Sequence, residues 1–272
     1  MMRSIIKKLF YKIFSGVSLP IFNNQLKGLR LKISPLLPPL HLFREIEREN
    51  HYAYDTFIKP GNIIFDIGAN VGLHTYYFAT KFRDTYVCSF EPLKANAEYI
   101  EGIISLNKLG NIKVIKKAVG AETGLVFFDT YKNNHQGKIA KAPSDLRVEI
   151  ITLDDFIKHE NIKPDFIKID VEGAESEVLA GFVNLVNEVK PVIIIELHTN
   201  DQSKQVAEFF RRLDYKIFRA TFIDNWKRNK RFLRIDNESK NGDTPSGFWG
   251  TVVAVPGSKV ESFSLITEEC LV

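Results

Sequence analysis

Ile63-Ile64-Phe65-Asp66-Ile67-Gly68-Ala69-Asn70-Val71-Gly72 is the stretch that decides the fold of this 272-residue chain. An apolar run ends on a carboxylate, a turn with two glycines follows, and Gly72–Phe82 then reads as a helix. Gly68 and Gly72 permit positive φ and close approach of a ligand to the backbone. The helix start beyond them offers unpaired N–H groups.

A dinucleotide-binding turn has this layout too, but reads G-x-G-x-x-G with a diphosphate above it. Here the third glycine is missing, and Asp66 stands where a diphosphate meets repulsion. A carboxylate there suits a ligand with an ammonium or sulfonium group, and S-adenosylmethionine carries both. An NAD-dependent oxidoreductase or epimerase is the alternative these two features disfavour. The next strand, Tyr86–Glu91, ends on Glu91, which suits the two hydroxyls of a ribose. Glu91 alone reads equally as a charge at a helix start; paired with Asp66 it reads as a ligand group. Ala118, Val119 and Gly120, after the third strand Ile112–Lys116, form either a simple turn or one side of an adenine slot.

Outward from there strands and helices alternate, the pattern of a parallel α/β sheet. Helix 93–109 follows the second strand. Strands Phe166–Asp170, Val192–Leu197, Tyr215–Ala220 and Phe248–Val255 alternate with helices Glu175–Asn187 and Gln202–Leu213. Residues 121–152 interrupt this with an extra strand pair, Leu125–Thr130 and Arg147–Thr152, around a polar loop at 131–144. A short helix, Asp154–His159, follows. The expectation is a doubly wound sheet of seven core strands, mostly parallel with an antiparallel late strand. Two cysteines, Cys88 and Cys270, exclude a disulfide scaffold. Cys88, inside an apolar strand, reads as a small buried hydrophobe.

The motifs Asp66–Gly72, Phe90-Glu91-Pro92, Ala118-Val119-Gly120, Thr152–Asp155, Asp165–Glu175 and Pro191–His198 recur in this order across about residues 49–200. Taken together they resemble the FkbM family of S-adenosylmethionine-dependent methyltransferases. The resemblance implies the seven-stranded class I methyltransferase fold and, typically, methyl transfer to a hydroxyl oxygen. It leaves residues 1–40 and the region after about 222 unmatched.

On this reading Asp66, Gly68, Ala69, Asn70, Gly72, Glu91, Ala118 and Val119 hold the cofactor. Asp170, Glu172 and His198 lie beside its methyl group, at the carboxyl edge where open α/β folds bind ligands. A hydroxyl nucleophile loses a proton during transfer, so a positioned base helps. His198 has a suitable intrinsic pKa, and Asp170 or Glu172 can serve instead. The bland readings are helix-start charges for Glu172 and Glu175 and a hydrogen-bonded rim residue for His198. Asp170, Glu172, Glu196 and His198 are suitable metal ligands, but no spacing is diagnostic and no metal is expected. The fourth strand is followed by Asp-Val-Glu-Gly, not the Asn/Asp-Pro-Pro-aromatic element of amino-nitrogen methyltransferases. No Pro-Cys pair of a cytosine C5 enzyme occurs.

The net charge of +4 is an average of two regions. Residues 1–44 hold eight basic residues and no acidic one, leaving 29 basic against 33 acidic in 45–272. Residues 1–40 therefore read as a basic extension ending in the Pro-rich linker 34–39, and 41–272 as the methyltransferase domain. The first seventeen residues form an apolar stripe backed by Lys7, Lys8 and Lys12. That helix either docks on protein or lies on an anionic membrane surface through residues 1–24. The uncharged stretch Ile13–Phe22 is too short to span a bilayer, and Lys12 spoils a signal peptide. The expected location is cytoplasmic, in contact at most with the inner face of a membrane.

The expected acceptor is a small molecule or the saccharide of a glycan, glycolipid or secondary metabolite. Tyr52, Tyr54, Tyr131 and His135 are candidates to cover a sugar. Five basic residues within Trp226–Arg234 suit phosphate, although a solvated hairpin explains them more simply. The acidic body argues against nucleic acid as the partner. A non-catalytic, membrane-recruited module with this fold remains the other alternative.

Overall fold

The structure is a computed structural model describing residues 14–21, 26–37, 48–130, 137–140, 144–198, 200–224, 229–234 and 250–263. Strands β1 (Ser18–Pro20) and β2 (Arg30–Lys32) form a hairpin ahead of helix α1 (Arg48–Phe57). Then come β3 (Ile63–Ile67), α2 (Leu73–Lys81), β4 (Tyr86–Phe90), α3 (Lys94–Asn107) and β5 (Ile112–Ile115). β6 (Ala118–Val119), β7 (Gly124–Thr130), β8 (Gly137–Ile139) and β9 (Arg147–Ile151) make a separate four-stranded sheet. The chain continues through α4 (Leu153–Glu160), β10 (Phe166–Ile169), α5 (Glu175–Ala180), α6 (Val186–Val189) and β11 (Val192–Leu197). It closes with α7 (Asn200–Arg211), β12 (Tyr215–Asp224), β13 (Asn229–Arg234) and β14 (Gly250–Pro256).

The main sheet runs β13-β12-β14-β11-β10-β3-β4-β5. β5, β4, β3, β10 and β11 are parallel, and β14 lies antiparallel to both β11 and β12. The central strands read IIFDI, YVCSF, FIKI and VIIIEL, near-continuous apolar runs because helices cover both faces. Helices α1 to α3 bury Tyr54, Phe78 and Ile100 on one face; α4 to α7 bury Phe156, Val178, Val186 and Phe210 on the other. The chain winds outward from β3 to β5, then returns to place β10 on the other side of β3. Strand order thus reverses between β3 and β10, whose carboxyl ends open a ligand crevice.

The expected α/β architecture is present, with three departures. The main sheet has eight strands, because 229–234 inside the late polar excursion pairs with β12. The polar loop contains β8, whose Gly137–Ile139 extends the β7 edge.

The helix expected over 175–187 is broken into α5 and α6. Asp154, at the start of α4, captures the N–H groups of Asn184 and Leu185, each at 2.9 Å, which a continuous helix would have used internally. Gly181 also packs on the Gly120 carbonyl, where a Cβ would not fit.

The described segment ahead of and into the Pro-rich stretch packs on the sheet's helices. The β1–β2 hairpin and Leu37 share one core with α3: Ile21, Leu31 and Leu37 are buried with Ile100 and Ile103. The Tyr99 hydroxyl donates to the Lys32 carbonyl at 2.7 Å, and the Asn107 amide bonds both backbone groups of Arg30. Residues 1–13, most of the basic amphipathic stretch, lie outside the described residues, as do 38–47. No helix among the described residues is long and apolar enough to cross a membrane.

Candidate active site

β3 carries Asp66 into the crevice edge with its side chain fully enclosed. The Thr75 hydroxyl of α2 donates to Asp66 Oδ2 at 2.6 Å, and Lys168 Nζ of β10 lies 3.5 Å from Oδ1. Asp66 and Lys168 are register partners on adjacent strands, which is why they meet. The turn beyond is fixed by two N–H groups, of Gly68 and Ala69, that both donate to the Phe90 carbonyl at 3.1 and 3.0 Å. Gly68, Asn70 and Gly72 have φ of 78°, 52° and 82°. A Cβ at Gly68 would overlap the carbonyl oxygen of Asp170, and one at Gly72 would sit 2.8 Å from the Tyr76 ring. The glycine spacing is therefore demanded by β10 and α2 as well as by any ligand.

Glu91 braces the same turn. It accepts the N–H of Asn70 at 2.8 Å and of Leu93 at 2.8 Å, with the Asn96 amide at 3.3 Å. Burial pushes its carboxyl up to about 7, with Asp66 adding to the rise and the N–H bonds opposing it. Ala118 and Val119 are not an open turn but the short strand β6, paired in parallel with Ile150 and Ile151 and buried. Ala118 packs in a small cluster with Leu93, so β6 backs the start of α3.

At the other lip, the Asp170 N–H donates to the Ile67 carbonyl at 3.1 Å. Asp170 Oδ2 lies 3.3 Å from Lys168, so one buried ammonium joins Asp66 to Asp170. Glu172 has φ 59° and Gly173 φ 104°, a sharp turn with a non-glycine residue in the left-handed region. His198, just past β11, points Nε2 at this pair, 3.7 Å from Asp170 Oδ1 and 3.8 Å from Glu172 Oε2. Its Nδ1 lies 3.0 Å from Oε1 of the fully buried Glu175.

The expected trio is thus brought together, while Glu196 is not part of the group whose ligating atoms converge. The Glu175 hydrogen bond raises His198 to about 9, with Asp170 and Glu172 adding to it and desolvation opposing. At that value the imidazolium is the favoured form near neutrality. Burial raises the Glu172 carboxyl, with His198 and Lys138 of β8 holding it down.

The sequence pattern does not single out three of these partners as site residues: Thr75, Lys168 and Glu175, the last reading only as a helix-start charge. Lys168 gave one signal, a lone charge inside the apolar strand Phe166–Ile169. Tyr54 corrects the sugar-covering expectation: it is fully buried, edge-on to Phe78 and Phe166 and near His74. Tyr131 and His135 lie outside the described residues, as do 225–228 of the basic cluster. Cys88 is a buried thiol, pushed up to about 12 by desolvation, and fits the hydrophobe reading.

A doubly wound sheet with a glycine turn and carboxylates at its switch crevice defines a Rossmann-like methyltransferase-type domain. The model of the Methyltransferase FkbM domain matches residues 66–217, and the chain belongs to that family. It is 26% identical over 155 residues to the hexuronic acid methyltransferase AglP of Haloferax volcanii, covering 55% of this chain and 62% of that protein. It is 24% identical over 153 residues to Methyltransferase 1 of Beauveria bassiana, covering 47% and 61%. The chain therefore spans about three fifths of the length of these curated relatives. Among solved structures, it is similar to the methyltransferase FkbM of Methylobacillus flagellatus at TM-score 0.47 and 18% identity, over 72% of this chain and 44% of that one.

Proposed function

We propose that this chain transfers the methyl group of S-adenosylmethionine to a hydroxyl oxygen of a saccharide. One observation carries the reading: the Gly68 turn packs directly on the Asp170 carbonyl, setting a half-exposed carboxylate–imidazole cluster against the cofactor turn. The donor set fits the cofactor, because Glu91 and Asp170 follow β4 and β10 on either side of the Gly68 turn and suit a cationic, hydroxyl-bearing ligand. The printed name of the Haloferax relative, a hexuronic acid methyltransferase, supports a sugar as acceptor.

Gly68, Ala69, Asn70 and Gly72 form the cradle, and Glu91 faces the ribose hydroxyls with lone pairs left over from its N–H bonds. Ala118 and Val119 back the adenine side. Asp66, fully buried, acts from behind the turn through Thr75 and Lys168. When bound, the cofactor supplies a methyl on a sulfonium that departs as a neutral thioether, so no acid is needed. Asp170 and Glu172 orient the acceptor hydroxyl and take its proton, while the His198 imidazolium holds both carboxylates in place. Alignment of the two reactants provides much of the acceleration.

Calorimetry with S-adenosylhomocysteine and NAD tests the cofactor, with binding expected only for the first. Labelled methyl transfer to hexuronic-acid glycans tests the reaction, with Asp170→Asn expected to lower the rate at least about hundredfold. NAD binding without S-adenosylhomocysteine binding sinks the reading.

A further inference from the structure

Asp170, Glu172 and His198 turn one ligating atom each toward a common space, all within 4.8 Å of one another. A six-coordinate divalent cation with bonds of about 2.1–2.4 Å spaces adjacent ligand atoms roughly 3.0–3.4 Å apart and opposite ones roughly 4.2–4.8 Å. The 3.7 and 3.8 Å separations from His198 Nε2 need shifts of only about half an ångström to share one ion. The other atoms of two of these side chains are already committed. Asp170 Oδ2 faces Lys168, and His198 Nδ1 faces Glu175.

A second observation lies outside the trio. Glu175 is fully buried; its Oε1 holds His198 Nδ1 and the Gly173 N–H, while its Oε2 makes no hydrogen bond among the described residues. A buried carboxylate oxygen left without a hydrogen bond is costly. A carboxylate on the far nitrogen of an imidazole is also the arrangement that sets the tautomer and ring angle of metal-ligating histidines. Three carboxylates, one of them buried, surround a single imidazole. Lys168 and Lys138 offset part of that negative charge, and a divalent cation in place of the His198 proton offsets the rest.

We propose that Asp170, Glu172 and His198 bind one divalent first-row cation, with Glu175 as the positioning residue behind His198. The inference rests on the methyltransferase reading and deepens it. Two carboxylate oxygens and one imidazole nitrogen suit Mn2+ or Zn2+. Three protein ligands leave positions open, and two neighbouring oxygens of a sugar can chelate there. Binding displaces the Nε2 proton of His198 to solvent. The cation then acidifies the hydroxyl that enters, whose proton leaves to solvent water. In this loaded state Asp170 and Glu172 serve as ligands in place of the proton-accepting role they have without the ion. The contact between Gly68 and Asp170 keeps that hydroxyl beside the cofactor turn.

The test is calorimetry of Mn2+ alone into the full chain stripped with EDTA, followed by S-adenosylhomocysteine into the same stripped protein. Expected are one Mn2+ per chain, affinity at least about tenfold weaker in Glu175→Gln, and loss of binding in His198→Ala and Glu172→Gln. Glu172 stands in a half-buried turn outside the strands, so its variant reads the site even if His198→Ala misfolds. No Mn2+ binding up to about 1 mM overturns the metal, as does binding indifferent to all three substitutions. S-adenosylhomocysteine binding to the stripped protein is expected to persist. Its loss there, and not that of Mn2+, strikes the methyltransferase reading.

Discussion

The two lips of the switch crevice are built on opposite terms. On the cofactor side Asp66 and Glu91 are buried, and their oxygens face Thr75, Lys168 and backbone N–H groups of the turn they shape. On the reacting side the side chains of Asp170, Glu172 and His198 keep 23%, 32% and 26% exposure, and Glu172 sits in strained backbone. The first lip is held in shape before any ligand arrives, which reduces the cost of ordering it on binding. The second keeps lone pairs and strain for what enters, as functional sites tend to. Lys168 touches both, through Asp66 and Asp170.

The sharpest way to break this contrast is at Gly68. Gly68→Ala puts a methyl group into the Asp170 carbonyl at φ 78°. Expected is a loss of several kcal/mol in denaturant unfolding, about 3 or more, together with cofactor binding. An alanine variant of ordinary stability would mean that the two lips are not in contact.

Lys168→Met comes next. It strands the enclosed Asp66 carboxylate and is expected to cost about 3–5 kcal/mol, the range for breaking a buried pair. A loss below about 1 kcal/mol would show that Asp66 does not depend on it.

Glu91 predicts a pH effect confined to the cofactor side. Its folded carboxyl titrates near 7, above the ordinary 4.5, so folding favours the protonated form. The contribution is complete below 4.5 and disappears as pH rises through 7, lowering stability by up to roughly 3 kcal/mol. Urea midpoints of wild type and Glu91→Gln between pH 4.5 and 8 should diverge accordingly. Parallel curves would remove the burial argument.

The smallest effect falls on the reacting side. Glu172→Gly relieves a left-handed residue and should raise stability by about 1 kcal/mol while lowering methyl transfer. A variant that gains stability and keeps its full rate would remove Glu172 from the reacting lip.

Much of this was legible in the chain itself. The apolar runs at 63–67, 86–90, 166–169 and 192–197 mark strands buried on both faces, because only such strands lack alternation. Asp66, Glu91 and Asp170 follow from that, since a carboxylate closing a buried strand stands at the sheet edge. Local pattern could not show that Asp154 would break the helix after 175 or that 229–234 would add an edge strand. The first depends on Asp154, 30 residues from its partner Asn184. The second is a hairpin with the neighbouring β12, and its charged residues lack the apolar run of a buried strand.

The same limit applies to charge. The sequence determined which acids stand at the crevice, because strand ends are local features. Only the tertiary structure decided their states: Lys168 joins Asp66 to Asp170, burial raises Glu91, and the Glu175 hydrogen bond raises His198, one of three candidate bases. A pKa is set by what lies within a few ångströms in space, and those neighbours come from strands up to a hundred residues apart.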